Sequence, residues 1–485
     1  MTQATTKDLA DRLSYWETVT DGQKRHTTQA LQESTANLAR NGRTKRSIAQ
    51  LSLFANEIRL PNRRVLRYGS HGIHEYRGKF FPQLVRALLN WAGVRRGSVI
   101  ADTMCGSGTT IVEATLLGCT GLGLDLNPLS VFISRTKCEI LHANPTSVTK
   151  TYSAVREKLL VRSGWQRDVR LTWLETLPDY DQDYLRAWFS LEVLKELERI
   201  VDAIRAVKGR AERHLLWVCL SNILRRVSWQ KEDDLRVRRE IKHDVEPVKE
   251  FLEDVTRSVR TLLAFLLQND GAPHGRGIVL EGDARAPHLA LGGWRGRIDA
   301  VVTSPPYATA LPYLDTDRLS LIYLRLLPRR EHRRRDILMV GNREITDRVR
   351  HEYWDTYIAR KHELPSSIVR LIDHVHRKNT HANVGFRRKN LPALLAKYFM
   401  DMGNVFEGLR DLVKPGAPAF VVIGCNHTYA GGERVEIDTA TLLGDLAKLR
   451  GLVLEETIPM EMLVSRDIFR KNASASETIL VLRRS

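Results

Sequence analysis

A short loop with the sequence Thr-Ser-Pro-Pro-Tyr, residues 303–307, brings together groups that could bind and orient a ligand. It follows the β-branched run IDAVV, residues 298–302, which predicts a buried strand. Two consecutive prolines cannot extend a helix or donate to a sheet ladder, so the chain leaves this strand in a fixed direction. The hydroxyl of Ser304, backbone carbonyls and the ring of Tyr307 then lie where open α/β sheets bind ligands. An ordinary rigid loop is the alternative interpretation.

A glycine-rich loop and three acidic strand ends predict a pocket for a nucleoside. One predicted strand ends in Asp102 and runs into the loop TMCGSGTT, and the next strand ends in Asp125. Gly106 and Gly108 let the backbone turn tightly near a ligand, and a carboxylate 19 positions after Gly106 can accept hydrogen bonds from ribose hydroxyls. The loop is not GxGxxG and lacks a P-loop lysine, which favours a nucleoside-containing cofactor without a pyrophosphate. A later strand ends in Asp283; a helix cap or turn is the alternative for each acid.

The elements that must position these residues alternate between strand and helix, with two interruptions. Strands are predicted at 98–102, 121–125, 277–283, 298–302, 419–424, 452–456 and 478–483, and late helices at 396–412 and 440–449. The interruptions are 141–275, with long helical patterns at 191–207, 213–227 and 248–267, and the basic stretch 308–395. The predicted fold class is therefore α/β, with two mainly helical insertions. The core comprises 61–140, 276–307 and 396–485, after a helical N-terminal extension over 1–60.

The charge of the chain favours a polyanionic partner. There are 75 Lys and Arg against 57 Asp and Glu, a formal charge of +18. This excess favours nucleic acid over a surface kept basic for solubility alone. Both insertions are candidates for recognising a nucleic acid, clamping it from two sides, and the candidate nucleic-acid-binding residues are Arg225, Arg226, Trp229 and Lys231 in the first and Arg333, Arg334, Arg387, Arg388 and Lys389 in the second. For the first cluster, a solvated helix connection is an equal alternative.

Other patterns exclude several classes of protein. A hydrophobic content of 43% with 27% charged residues is typical of a globular protein, and five scattered cysteines indicate free thiols in a reducing compartment. The start of the chain is polar and no apolar run could span a bilayer, so we expect a soluble, cytoplasmic protein without membrane contact. His71 and His74 have the spacing of a metal pair, as do histidines over 374–381, but no further ligands complete a site, and we predict no metal.

In chain order these motifs resemble the S-adenosylmethionine-dependent amino-methyltransferases of DNA, in the group marked by SPPY, and by this resemblance the nucleic acid that both insertions would recognise is DNA. ADTMCGSGTT resembles the first motif of that family, GLDLNP the second, EGDA the third and VVTSPPY the fourth. YRGKFFP resembles a cofactor-pocket segment that precedes the first motif, and ETILVLRR resembles the closing strand. The chain departs from the family at Thr103-Met104, where Pro-Phe is usual. The resemblance implies a Rossmann-like class I methyltransferase sheet with S-adenosyl-L-methionine as cofactor.

The resemblance also implies roles for individual residues. It places Asp102, Gly106, Gly108 and Thr109 along the methionine side of the cofactor, Asp125 at the ribose, Asp283 at the adenine, Phe80 and Phe81 over the pocket, and Ser304, Pro305, Pro306 and Tyr307 in the catalytic loop. It further implies double-stranded DNA as partner. A cognate restriction or defence protein is a second candidate partner, since the chain carries no nuclease or helicase motif and cleavage would need another protein.

The catalytic loop suits chemistry at an exocyclic base amine, whose lone pair is conjugated into the ring and is a poor nucleophile. The Ser304 hydroxyl and Pro305 carbonyl can accept hydrogen bonds from the N–H groups of the amine and orient the nitrogen for in-line transfer. Tyr307 offers a face to a base extruded from the duplex. No cysteine follows the prolines, which argues against attack at cytosine C5, and in this family Ser before Pro-Pro commonly accompanies cytosine N4. Adenine N6, an RNA amine, and a non-catalytic nucleic-acid-binding protein are the alternatives.

Overall fold

The computed structural model describes residues 68–76, 81–161, 169–231, 238–268, 275–308, 313–342, 345–424, 426–461 and 476–485. The strands in this part of the chain are β1 (Val99–Asp102), β2 (Thr120–Asp125), β3 (Arg276–Glu281), β4 (Ala300–Thr303), β5 (Pro418–Gly424), β6 (Asn426–Ala430), β7 (Glu433–Ile437), β8 (Leu452–Glu461) and β9 (Ser476–Arg484). The α-helices are α1 (Pro82–Trp91), α2 (Thr109–Leu116), α3 (Pro128–Ile140), α4 (Pro145–Leu160), α5 (Thr172–Glu175), α6 (Asp179–Arg186), α7 (Leu191–Arg205), α8 (Arg210–Val227), α9 (Pro247–Gln268), α10 (His288–Leu291), α11 (Tyr313–Tyr323), α12 (Arg329–Leu338), α13 (Asp347–Arg360), α14 (Ser366–Thr380), α15 (Phe386–Leu412) and α16 (Thr439–Leu449).

Seven strands form one sheet in the order β3-β2-β1-β4-β5-β9-β8, and β6 and β7 form a separate hairpin. Neighbours from β3 through β5 are parallel, whereas β9 runs antiparallel to both β5 and β8. The predicted α/β class is confirmed. All seven strands predicted from periodicity are present, and the β6–β7 hairpin is an element that the sequence analysis missed.

The central strands are short apolar runs because helices cover both faces of the sheet. Alternate residues point to opposite sides: Ala101 and Val301 pack with residues of α15 and α16, and Ile100 and Val302 pack with residues of α1. All four side chains are fully buried. This two-sided burial holds the carboxyl ends of the strands in fixed positions.

The strand order brings the two principal motifs together. From β1, the chain crosses to β2 on one side, while β4 pairs with β1 on the other side. The connections that leave β1 and β4 therefore diverge at a topological switch point, where open sheets form their ligand crevice. The glycine-rich loop leaves from β1 and the Thr-Ser-Pro-Pro-Tyr loop from β4.

The two insertions do not form two separate layers. The predicted helices of the first appear as α7, α8 and α9, and the apolar core of this insertion also includes residues of α11 from the second. Helices α13, α14 and α15 instead pack with the sheet. The helix predicted to begin at residue 396 begins at Phe386, because α15 continues through Pro392 at the cost of a backbone hydrogen bond. The core boundary proposed at 396 therefore falls inside a helix.

Helix α15 extends well beyond the carboxyl edge of the sheet. Near its end, the Asp411 carbonyl accepts a hydrogen bond from the Gly296 N–H before β4, at 3.0 Å. Further back, Asp401 accepts one from Arg285, just after β3, at 3.0 Å. Residues 386–400 therefore continue past the strand ends for about 22 Å at 1.5 Å per residue. We call this part of α15 the overhang.

Candidate active site

A cleft opens at the carboxyl ends of the parallel strands and contains about 790 Å³ of empty space, part of it open to solvent. Its lining comprises Tyr76, Thr103, Met104, Cys105, Gly106, Ser107, Thr109, Asp125, Leu126, Gly282, Asp283, Ala284, Ser304, Pro306, Met339 and Val340. The glycine-rich loop, two of the three strand-end acids and the Ser-Pro-Pro-Tyr loop thus meet in one place.

The glycine-rich loop depends on its glycines for conformation and for packing. Gly106 and Gly108 have φ values of +48° and +81°, in the left-handed region that other residues rarely adopt. A Cβ on Gly108 would lie 2.1 Å from Oγ of Ser134, and one on Gly106 would lie 3.0 Å from the ring of Tyr76. Tyr76 is held by a 3.0 Å hydrogen bond between its hydroxyl and Ser130. Gly106 lines the cleft, whereas Gly108 supports the loop from within.

Asp125, at the end of β2, ties the glycine-rich loop to the second strand. One of its oxygens accepts a hydrogen bond from the Gly106 N–H at 2.8 Å, and the other accepts one from the Asn127 N–H at 2.8 Å. Burial raises its pKa to about 6, against the opposing effect of these N–H groups. The carboxylate is thus oriented towards the cleft by backbone groups of two motifs and retains lone pairs for a ligand.

Asp102, at the end of β1, lies beneath the loop and not among the residues that line the cleft. Its side chain is 1% exposed and accepts a hydrogen bond from the Met104 N–H at 3.1 Å. Burial raises its pKa to about 7. In this structure Asp102 shapes the loop from below, and its predicted contact with the methionine side of the cofactor stays a prediction.

Asp283, beyond the end of β3, forms an ion pair that the sequence analysis missed. Arg285 donates from Nε to Oδ1 of Asp283 at 3.0 Å and from Nη2 to Oδ2 at 2.6 Å. Burial opposes ionisation, but the hydrogen bonds and charge of Arg285 outweigh it and lower the pKa of Asp283. Arg285 also donates to Asp401 of α15, which contacts Lys397. Alternating charges therefore connect the cleft to the overhang.

The catalytic loop predicted from the sequence lies at the edge of the cleft. Ser304 and Pro306 line it, and Pro305 is buried. The Ser304 hydroxyl makes no hydrogen bond with the described residues, so it can accept one from a ligand. The hydroxyl of Tyr307 donates to Oε1 of Glu477 in β9 at 2.7 Å. The sequence analysis did not identify Glu477.

A cysteine also lines the cleft but is not suited to nucleophilic attack. Burial raises the pKa of Cys105 well above its usual value, and the nearby Asp125 and Asp102 raise it further. Because the thiolate is the reactive form, a thiol held neutral at ordinary pH is a poor nucleophile. The lining of the cleft thus agrees with the sequence-based argument against a cysteine mechanism.

The segment before α1 contributes a different aromatic residue from those predicted. Phe80 lies outside the described residues, and Phe81 is 47% exposed and does not line the cleft. Tyr76, in the same YRGKFFP motif, does line it. The histidines with metal-pair spacing have other partners here: His71 bonds to Glu113 at 2.7 Å and His74 lies 3.4 Å from Ser221. No group of three or more metal-binding side chains occurs among the described residues.

The basic clusters of the second insertion lie on the side where the cleft opens. In α12, Arg335 donates to the Leu126 carbonyl at 2.7 Å, while Arg333 and Arg334 are exposed. Residues 387–389, which are Arg387, Arg388 and Lys389, are exposed at the far end of the overhang. Two separate elements therefore present positive charge on this side of the protein.

The cluster of the first insertion is engaged within the protein. Arg226 pairs with Glu250 at 3.2 Å and with Asp254 at 3.5 Å. Arg225 donates to the Lys231 carbonyl at 3.2 Å, and the guanidinium of Arg239 lies 4.5 Å from the ring centre of Trp229. A role for Arg225, Arg226, Trp229 and Lys231 in binding nucleic acid stays a prediction.

Parts of the chain are similar to known methyltransferases. A family model described as UPF0020, RMKL-like, methyltransferase domain, matches residues 74–154. The chain is 41% identical over 69 residues to the Type II methyltransferase M.MjaII of Methanocaldococcus jannaschii, covering 14% of this chain and 13% of that protein. It is 23% identical over 438 residues to the Type II methyltransferase M.BsoBI of Geobacillus stearothermophilus, covering 78% and 79%.

Another relative has the name of an enzyme that methylates tRNA. The chain is 38% identical over 52 residues to the tRNA (guanine(10)-N2)-dimethyltransferase of Methanothermobacter thermautotrophicus, covering 11% of this chain and 16% of that protein.

Among the described residues, no helix is long and apolar enough to cross a membrane.

The Type II relatives agree with the resemblance to DNA amino-methyltransferases, although they do not identify the SPPY group. The matched methyltransferase domain contains the glycine-rich loop and Asp125, and the sheet that holds them has the predicted arrangement. The chain therefore contains a methyltransferase domain within an α/β sheet, which implies S-adenosylmethionine as the methyl donor.

Proposed function

We propose that this protein transfers a methyl group to an exocyclic base amine of double-stranded DNA, and that the amine is N4 of cytosine. The observation that carries the proposal is the meeting of two motifs in one cleft. Ser304 and Pro306 lie in the same lining as Gly106 and Asp125. A base amine at the loop would thus lie beside a methyl donor held at the glycine-rich loop, which is the proximity that in-line transfer requires.

The residues of the cleft fit the cofactor. Asp125 presents a carboxylate for ribose hydroxyls, Asp283 presents one for the adenine amine, and Gly106 allows close approach of the backbone. Met339 and Val340 add apolar surface. When bound, S-adenosylmethionine supplies a methyl group activated by a sulfonium.

The chain's own groups would prepare the amine. The Ser304 hydroxyl and the Pro305 carbonyl accept hydrogen bonds from the two N–H groups of the amine, which draws the nitrogen towards a tetrahedral geometry with its lone pair exposed. Because the two prolines fix the loop, these acceptors need no reorganisation during the reaction. The nitrogen would form a bond to the methyl carbon as the carbon–sulfur bond breaks, which would leave a neutral thioether, and it would release one proton to solvent. The serine at position 304 is the basis for favouring cytosine N4, and adenine N6 is the alternative.

The DNA would lie along the carboxyl edge of the sheet. A target base can reach Ser304 only outside the duplex stack, so the duplex must be held near the opening of the cleft. The exposed arginines of α12 and of the overhang are placed to neutralise backbone phosphates there. A duplex that contacted the arginines of both α12 and the overhang would be held across the cleft.

The direct test is incubation with plasmid or genomic DNA and S-adenosylmethionine, followed by sequencing that maps N4-methylcytosine and N6-methyladenine separately. We expect N4-methylcytosine at a defined sequence, and N6-methyladenine would correct the base assignment. Ser304→Ala and Tyr307→Ala should lower turnover by about 100-fold or more, as expected for loss of preorganised contacts to the reacting group.

The charge contacts have their own test. The triple variant R387A/R388A/K389A should weaken DNA binding and reduce its dependence on salt, because fewer counterions are released. Its affinity for S-adenosylmethionine should not change, because these residues do not line the cleft. Equal DNA affinity and salt dependence in the variant and the wild type would exclude the overhang from the DNA-binding surface.

An RNA amine is the second candidate, favoured by the similarity to a tRNA dimethyltransferase. Parallel reactions with duplex DNA and structured RNA and a labelled methyl donor distinguish the two. Transfer to RNA alone would overturn the DNA assignment and leave the chemistry of the cleft unchanged. Transfer to neither would favour a non-catalytic nucleic-acid-binding protein.

A further inference from the structure

Tyr307 is fixed in place by two residues of the neighbouring strands. Gly424, the last residue of β5, lies so close that a Cβ there would be 2.6 Å from Cε2 and 2.7 Å from Cζ of the tyrosine ring. On β9, Glu477 accepts the hydrogen bond from the Tyr307 hydroxyl at 2.7 Å. The antiparallel register of β5 and β9 pairs Gly424 directly with Glu477. One strand thus provides space for the ring, and the other binds its hydroxyl.

We infer that Glu477 is a positioning residue, which holds the ring of Tyr307 so that the target base can stack on it. This inference deepens the proposed function and rests on it. A tyrosine ring turns about two side-chain torsions, and a hydrogen bond to its hydroxyl fixes both when the base of the ring is held by the rigid loop. Charge-assisted hydrogen bonds of this kind are stronger than neutral ones. The ring would therefore be fixed before a base arrives.

The position of Gly424 adds an independent constraint. Any larger residue there would push the ring off the strand end, because the nearest atoms of Tyr307 would lie well inside contact distance. The ring could then no longer hold its hydroxyl against Glu477. Gly424 and Glu477 are separated by 53 positions in the chain, so only the pairing of β5 with β9 brings them together.

A double-mutant cycle tests the inference with the full-length protein. The turnover number on plasmid DNA and the KM for S-adenosylmethionine are measured for Glu477→Ala, Tyr307→Phe and the double variant. Each single change should lower kcat about tenfold, the size of one hydrogen bond to a charged group. The double variant should also lose about tenfold, because both changes remove the same contact. The KM for S-adenosylmethionine should stay within about twofold, since the pair lies outside the cofactor lining.

Three further variants sharpen the result. Glu477→Gln keeps an oxygen acceptor and should recover most of the activity lost in Glu477→Ala. Gly424→Ala should lower kcat at least as much as Tyr307→Phe. Glu455→Ala is the matched control, because Glu455 is an exposed carboxylate on β8 that binds Arg483 at 2.7 Å, and it should leave kcat unchanged. Thermal unfolding of each variant checks that the protein is folded.

Two results would overturn the inference. Effects of Glu477→Ala and Tyr307→Phe that multiply to about 100-fold in the double variant would show that the residues act independently. Wild-type turnover in Glu477→Ala would show that the carboxylate is not needed. If the wild-type protein transfers no methyl group to DNA or RNA, the proposed function itself fails, and that outcome is visible before any variant is compared.

Discussion

Two aspartates at the carboxyl ends of neighbouring parallel strands have opposite electrostatic surroundings. Asp125, at the end of β2, accepts hydrogen bonds from backbone N–H groups and, in the part of the chain that the structure describes, from no side chain, and burial raises its pKa to about 6. Asp283, just after β3, is bound by the guanidinium of Arg285, which lowers its pKa. Strand order places both carboxylates in one cleft, but their immediate partners decide when each is charged. Equivalent positions in a fold thus need not be equivalent in chemistry.

The largest effect should come from removing the carboxylate of Asp125, which forms no ion pair with the described residues. Asp125→Asn replaces one of the two oxygens that accept backbone hydrogen bonds and removes the charge that the ribose would meet. Affinity for S-adenosylmethionine, measured by calorimetry, should fall by about 100-fold, as expected for losing more than one hydrogen bond to a charged group. Asp438→Asn is the control, because Asp438 is an acid after β7 that caps α16 away from the cleft. Equal affinities in both variants would remove Asp125 from the cofactor site.

Beside Asp283, just after β3, the change Arg285→Ala should mainly lower the free energy of unfolding of the protein. The side chain is 18% exposed and neutralises both Asp283 and Asp401, so its loss leaves two partly buried carboxylates without their shared cation. Denaturant unfolding at pH 7 should show a loss of roughly 2–3 kcal/mol. Arg295→Ala is the matched control, since Arg295 is 67% exposed and pairs with Asp411 alone, and its loss should cost under about 1 kcal/mol. A similar cost for both would contradict the bridging role of Arg285.

The two acids should also respond differently to pH. As pH falls through about 6, Asp125 gains a proton and becomes a weaker acceptor, so cofactor affinity should fall several-fold between pH 7.5 and 5. Asp283 stays charged over this range because its pKa is lowered. Calorimetry across the range should therefore show a decrease in the wild type and a flatter profile in Asp125→Asn. An unchanged slope in that variant would assign the pH dependence to another group.

Their contributions to the stability of the free protein have opposite signs. Asp125 has a raised pKa, so its contribution is present below about pH 4, the value in an unfolded chain, and is lost as pH rises through about 6. Asp283 has a lowered pKa, so its contribution is present above about pH 4 and is lost as pH falls through the lowered value. Unfolding of Asp125→Asn and Asp283→Asn across pH 3–7 should show these opposite trends relative to the wild type.

The smallest effect is expected at the far end of the charge chain. Lys397 contacts Asp401, which keeps its bond to Arg285 when the lysine is removed. Lys397→Ala should therefore destabilise the protein by only about 0.5–1 kcal/mol in denaturant unfolding. A loss as large as that of Arg285→Ala would show that the lysine, and not the arginine, controls the network.

Periodicity predicted regular elements well where they are continuous. The seven strands of the sheet were placed within a few residues, because apolar runs buried on both faces are distinct in sequence. The β6–β7 hairpin was missed, although Gly431-Gly432 between two short alternating runs is a hairpin signal. The start of α15 was placed ten residues late, because helical packing on both sides of Pro392 outweighs the local cost of the proline.

The sequence by itself determined the identity and order of the motifs: a glycine-rich loop, three acids at strand ends and Ser-Pro-Pro-Tyr after a buried strand. These depend on local rules of strand, turn and glycine conformation, which act over a few residues. Only the tertiary structure decided which groups surround each motif. The guanidinium of Arg285 binds both Asp283 and Asp401 and so joins the cleft to α15. The hydrogen bond between Tyr307 and Glu477 spans 170 positions of the chain. Such contacts arise from the pairing of distant elements, and no local pattern encodes them.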